Sequence, residues 1–382
     1  MDESMSLDWS GKHLPSMNGS LEIIHQIPTE VLSMIFLFTT IPSDNASDDL
    51  DEVLMSATPV FSRKMKTSPF ALSQVCRRWR DIVIDTKAMW RSVAVVNPNE
   101  RHLYRLQLWM TRVRDHPLEV ALFLDEDTVV MPQSCRDMVD RVLQILGQNL
   151  HRWSTIEFQS LGYVPSRLCD QFKELSSIDS PILRKAIITF GLLLGTPVEE
   201  LWGSFQHIQS LETLHYNGDY IYQAARLLNP RIRTFKFAPF SDKKWMVNLS
   251  SNRVVSILSP FPNVEELYIG TNIVSYEGPQ DDENFPPVVL PHLRALTIKM
   301  GDFLHLFCRR FITPSLTSLN IMSGNSHDAD NIAYLLWRSA CKLEKLVLCV
   351  EKDSDRTGWL ESETFKSVPY FWINGNQRLR DA

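Results

Sequence analysis

Leu293-Arg-Ala-Leu296-Thr-Ile298, Leu316-Thr-Ser-Leu319-Asn-Ile321 and Leu343-Glu-Lys-Leu346-Val-Leu348 are three versions of one phrase, hydrophobic-x-x-hydrophobic-x-hydrophobic. Its last two apolar positions alternate with a variable one, which is the period of a strand that buries one face. The phrase also occurs upstream, as Trp153/Ile156/Phe158, Leu183/Ala186/Ile188, Leu211/Leu214/Tyr216, Ile232/Phe235/Phe237 and Val264/Leu267/Ile269. Spacings run from 21 residues (Leu211 to Ile232) to 32 (Ile232 to Val264), so the copies form an internal repeat. Between them lie stretches of helical period, such as Met138/Val142/Ile145/Leu146 and Ile332/Leu335/Leu336, and loops marked by Pro and Gly. Strand then helix, repeated, predicts a parallel sheet with helices on one side. Leu103/Leu106/Met110/Val113 followed by Leu118-Glu-Val-Ala-Leu122 predicts a less regular helix and strand that start the stack.

These spacings lie in the range of leucine-rich repeats, and residues 97–350 read as one irregular α/β solenoid of that kind. Only the copy at Val264 carries an Asn after its strand, Asn272, as many such repeats do. Residues 351–382 show no further copy and read as a cap or tail. In a repeat array the side chains between the buried positions face a concave surface. Here they are His215, Lys236, Tyr268, Thr297, Asn320 and Val347, with neighbours such as Asn217, Glu266 and Lys345. That ridge is chemically mixed, which suits a client protein better than a phosphate backbone or a small molecule.

The N-terminal part has another texture. Residues 1–22 are polar and aperiodic and read as a flexible tail. Ile27-Pro28-Thr-Glu-Val31-Leu32-Ser-Met-Ile35-Phe36-Leu-Phe38 starts as a helix does, with Pro in its first turn, and seven of the eight residues from Val31 on are apolar. An acidic, polar stretch at about 42–67 reads as a flexible insert. Beyond it, Leu72, Val75, Cys76, Trp79 and Ile82/Val83 are predicted on one helical stripe, with Arg77 and Arg78 on the solvent side. Thr86-Lys-Ala-Met-Trp90 reads as a third short helix capped by Thr86. About fifty ordered residues cannot hide so many large apolar groups among themselves, so part of these helices must lie under something else.

Composition narrows the function classes. The chain is 44% hydrophobic and 22% charged, as in ordinary globular proteins. The longest uncharged apolar stretch, residues 31–41, falls short of the roughly 20 residues of a membrane span, and the acidic start lacks the pattern of a secretory signal. The six cysteines form no Cys-x-x-Cys pair, so the expected compartment is reducing, cytoplasmic or nuclear, with no metal site. The Asn-x-Ser triplets at Asn18, Asn45 and Asn248 are discounted on that reading. All of the net charge of -6 falls in residues 1–69, which leaves a balanced body without the basic surplus a nucleic-acid partner exploits. No phosphate loop, nucleophile elbow or paired-His spacing occurs, and the expectation is a non-enzyme without cofactor.

The string Ile27-Pro-x-Glu-Val-Leu-x-x-Ile-Phe36, then Leu72-x-x-Val-Cys-Arg-x-Trp-Arg80, then Met89-Trp90, resembles the F-box. The likeness covers about fifty residues of the unit 23–96, and the insert at about 42–67 is its departure from the usual spacing. The resemblance implies a small all-α module that docks the Skp adaptor of a Skp-cullin-F-box ubiquitin ligase, and through it a cullin, while the repeats hold a client. It assigns Ile27, Pro28, Val31, Leu32, Ile35, Phe36, Leu72, Val75, Cys76, Trp79 and Trp90 to the module's core and adaptor contacts, without dividing the two. The alternative is a repeat scaffold with no ligase role. The expected fold is thus α+β overall, with a helical unit followed by the α/β solenoid.

Overall fold

The computed structural model describes residues 26–38, 60–61, 68–124, 132–160, 164–178, 181–190, 196–218, 229–238, 258–259, 261–270, 287–298, 301–324, 328–350, 359, 363–373 and 376–377. The tail 1–22, nearly all of the acidic insert, the three Asn-x-Ser triplets and Asn272 lie outside them.

The chain is mixed α/β, built on one large sheet. Its strands are β1 (Val60–Phe61), β2 (Ser92–Val96), β3 (Leu118–Phe123), β4 (Trp153–Ser160), β5 (Lys185–Phe190), β6 (Thr213–Gly218), β7 (Thr234–Ala238) and β8 (Glu266–Ile269). After β9 (Val288–Val289) come β10 (Ala295–Ile298), β11 (Phe311–Ile312), β12 (Ser318–Gly324), β13 (Lys345–Val350), β14 (Tyr370–Ile373) and β15 (Asn376–Gln377). The sheet follows chain order from β1 to β15, omitting β9 and β11, which pair with each other. From β2 to β14 every pairing is parallel, while β1 and β15 close the two edges antiparallel.

All eight copies of the phrase fall where the sequence places them. The leading apolar residue sits just before or at the start of the strand, and the next two point into the core; Leu316, Leu319 and Ile321, for instance, are fully buried. Burying one such side chain contributes about 1.5–3 kcal/mol before conformational entropy is charged against it. A ninth copy, Val368/Phe371/Ile373, is also buried and forms β14, although the sequence reading found none beyond Leu348. Strand β2, counted with the helical unit in that reading, belongs to the sheet as well.

The helices are α1 (Thr29–Phe38), α2 (Pro69–Val75), α3 (Arg77–Asp85), α4 (Glu100–Val113), α5 (Gln133–Gly147), α6 (Ser166–Ser177), α7 (Thr196–His207), α8 (Gly301–Arg310), α9 (Asp328–Ser339) and α10 (Glu363–Lys366). Those from α4 to α7 alternate with strands, as do α8 and α9. The start of α4 shows why its boundary falls where it does. Asn99 Oδ1 accepts from the Arg101 N–H at 3.0 Å, and the Asn99 N–H donates to His102 Nδ1 at 3.2 Å. Burial, reinforced by Arg105, lowers the His102 pKa and keeps that nitrogen able to accept.

The helical unit is joined to the sheet by aromatic rings. Phe70 of α2, Trp90 and Trp109 of α4 meet edge-on at centroid separations of 5.1–5.5 Å, and the Arg112 guanidinium lies 4.4 Å from the Trp90 ring centroid. Trp90 Nε1 donates to Val83 O at 2.8 Å. Part of the cover that the apolar helices require is therefore α4.

Candidate functional site

Sequence periodicity treats residues 69–83 as one helix, but the chain breaks at Cys76. Its extended backbone (φ -156°, ψ 171°) ends α2 and starts α3, and its Sγ accepts from the Trp79 N–H at 3.4 Å. The break turns α3 relative to α2, so the expected single stripe does not form. Val75 is left 60% exposed and Cys76 half-buried. Arg78, expected in solvent, is half-buried and donates to Ile27 O, which ties α3 to the start of α1. Thr86 caps nothing with its side chain; its hydroxyl lies 2.7 Å from Ile82 O and 3.3 Å from Ser33 Oγ of α1.

With α1 fixed in this way, the residues assigned by the F-box resemblance divide. Leu32, Phe36, Leu72 and Trp90 are core, and Phe36 lies 4.7 Å from the ring of Trp79, itself half-buried like Ile27. Pro28, Val31, Ile35 and Val75 are exposed. Met34 and Phe38, absent from the assignment, are more exposed than Val31 and Ile35, at 50% and 69%. Val31, Met34, Ile35 and Phe38 occupy positions i, i+3, i+4 and i+7, so they form one continuous stripe along α1. That spacing was available in the sequence; what hid it was the apolar character of the opposite face. A groove of about 770 Å³ runs between α1 and α3, from Thr29 and Ser33 to Asp81, Asp85 and Thr86.

The second candidate surface is the sheet face turned away from the buried phrase positions. Strand register puts all six expected client residues in one unbroken row: His215 beside Lys236, Lys236 beside Tyr268, Tyr268 beside Thr297, Thr297 beside Asn320, and Asn320 beside Val347. The row continues through Ile187, Glu157, Ala121 and Ala94 on one side and Trp372 on the other. It is not uniform. Ala94, Ala121 and Glu157 are buried, and Ala94 and Ala121 join Phe123 in a small apolar cluster on this face. From Ile187 onward the members are half-buried, and Lys236 alone is exposed among the row's described side chains. The Tyr268 ring reaches over Gly270, where a Cβ would lie 2.8 Å from its Cε1. Asn320 Oδ1 accepts no hydrogen bond among the described residues.

His215 sits in the most distinctive electrostatic setting. Burial first, then the charges of Lys236 and Lys185, push its pKa down to about 3, so the imidazole is neutral at physiological pH. Among the described residues, no group of three or more His, Cys, Asp or Glu could hold a metal, and no helix is long and apolar enough to cross a membrane. No known family model matches the chain, and no curated protein does.

Proposed function

We propose that the chain is a substrate-receptor subunit of a Skp-cullin-F-box ubiquitin ligase, acting in the cytoplasm or nucleus. The helical unit docks the Skp adaptor, and the row on the leucine-rich-repeat-like sheet holds a client protein. The observation that carries this reading is the α1 stripe of Val31, Met34, Ile35 and Phe38, an apolar i, i+3, i+4, i+7 face left open on the element that bears the F-box resemblance. Such a receptor performs no covalent chemistry. It raises the client's effective concentration at a ubiquitin-charged enzyme.

The test is a pull-down of the full chain with the Skp adaptor, comparing wild type with Ile35→Asp and Phe38→Asp. Deleting the unit is a poorer test, because loss of Phe70 and Trp90 would strip Trp109. Loss of adaptor from both variants, with unchanged circular dichroism, is the expected result; retention by both sinks the proposed interface. Recovery of a cullin with wild type separates the ligase reading from the alternative, a scaffold with no ligase role.

A further inference from the structure

We infer that the cleft between α5 and α6, the helices that precede and follow β4, seats a guanidinium group, the side chain of an arginine presented by a partner protein. Two helix faces build it. On α5, Asp140, Gln144 and Gly147 recur at i, i+4 and i+7. On α6, Arg167, Asp170, Gln171 and Glu174 recur at i, i+3, i+4 and i+7, and the two faces line one space of about 380 Å³. Gln171 links them. It is 6% exposed, and its Nε2 donates to Leu143 O of α5. That bond fixes the amide, since turning it over would set Oε1 against a carbonyl oxygen. Gly147 makes the approach feasible, because a Cβ there would collide with the Gln171 amide.

Two acceptor atoms of the cleft are left over. Gln171 Oε1 and Asp140 Oδ1 are both buried, and neither receives a hydrogen bond among the described residues. A buried oxygen without a donor is costly, so the pair marks a place for the N–H groups of a ligand. The charges ask for a cation. Asp140, Asp170 and Glu174 line the space against Arg167 alone, while Lys173, also on α6, is held by Glu200 of α7 at 2.8 Å. Burial raises the Asp140 pKa in spite of Arg167, and Asp137 adds to the rise, so this carboxylate is short of positive charge. Among the described residues no group of three or more His, Cys, Asp or Glu could hold a metal ion, which favours an organic cation. A guanidinium carries five N–H donors in a flat, weakly hydrated fork. It can serve both buried oxygens with one edge and turn the other to Asp170 and Glu174, which a compact, strongly hydrated ammonium does less well.

The experiment uses the full chain with 15N-labelled glutamine, the Gln171 side-chain amide being assigned with Gln171→Met. Four probes are titrated: acetyl-Gly-Arg-Gly-amide, its counterparts with Lys or citrulline for Arg, and magnesium chloride. The expected result is a saturable shift of the Gln171 amide with the Arg peptide and none with the citrulline peptide, which keeps the shape without the charge. Affinity should weaken about tenfold in Asp140→Asn and stay unchanged in Asp330→Asn, an exposed carboxylate on α9. Glu174→Gln, at an exposed position, should weaken it as well and gives a second reading that leaves the core intact. Arg167→Gln removes the competing cation and should tighten binding. No saturable shift, or an equal response to the citrulline peptide, overturns the inference. So does equal weakening in Asp140→Asn and Asp330→Asn, which would mean general charge screening. A response to the Lys peptide or to magnesium as strong as to the Arg peptide overturns the guanidinium in favour of a site for any cation. The adaptor pull-down reads α1 and this titration reads α5 and α6, so either can fail alone.

Discussion

Helix α4 turns Leu103, Leu106, Trp109 and Val113 into the core, whereas α1 buries only Leu32 and Phe36 and leaves Val31, Met34, Ile35 and Phe38 in solvent. The two helices draw on the same apolar side chains, but α4 crosses between two strands of the sheet and α1 touches the fold along one side, through Phe36–Trp79 and Ser33–Thr86. Burial here is decided by what lies opposite a side chain, not by its hydrophobicity. An i, i+3, i+4, i+7 stripe with nothing opposite it among the described residues is the feature on which the proposed adaptor interface rests.

The largest test of this contrast is Trp109→Ala, which removes a fully buried indole from the Phe70–Trp90–Trp109 cluster. It should cost about 3–5 kcal/mol in urea unfolding, while Phe38→Ala should change stability by less than about 0.5 kcal/mol. Within α1 itself, Leu32→Ala should cost about 2–5 kcal/mol and Ile35→Ala almost nothing; equal losses would mean that the stripe is covered in the free protein. Ser33→Ala leaves the Thr86 hydroxyl its nearer acceptor, Ile82 O, and should lower stability by no more than about 0.5 kcal/mol, read as a small shift of the midpoint.

A separate, pH-dependent effect belongs to the sheet. In the unfolded chain His215 takes up a proton near its ordinary value of 6.5, and in the fold only near 3. Between those values the unfolded state binds more protons, so stability should fall as pH is lowered from about 6.5 toward 3. His215→Gln should lose that part of the slope. Identical slopes for the two proteins would show that His215 does not sit buried beside the lysines.

The strands were legible because each phrase sets buried positions against polar or small ones, as Leu296 and Ile298 stand against Thr297. Contrast was missing where the reading failed. In Val368-Pro-Tyr-Phe-Trp-Ile373 the outward positions are Tyr370 and Trp372, so period two disappears from the pattern. In Ser92–Val96 the outward Ala94 is itself buried on the second face, and the strand reads as a plain apolar run. The row from His215 to Val347 followed from the phrase alone, because parallel strands in matching register align equivalent positions. The division of α1 did not, since a helix apolar on all sides carries no mark of which side meets Trp79. The break at Cys76 is a backbone event with no Pro or Gly to announce it.

Each strand from β2 to β14 is hydrogen-bonded to the strands before and after it in the sheet, and those neighbours come from nearby stretches of chain. Cooperativity is then passed from neighbour to neighbour, without closure of distant ends. Pulled from its two termini, such a molecule would peel from its edges in steps, each releasing one strand and the segment that leads to the next. The force trace would count the strands of the sheet.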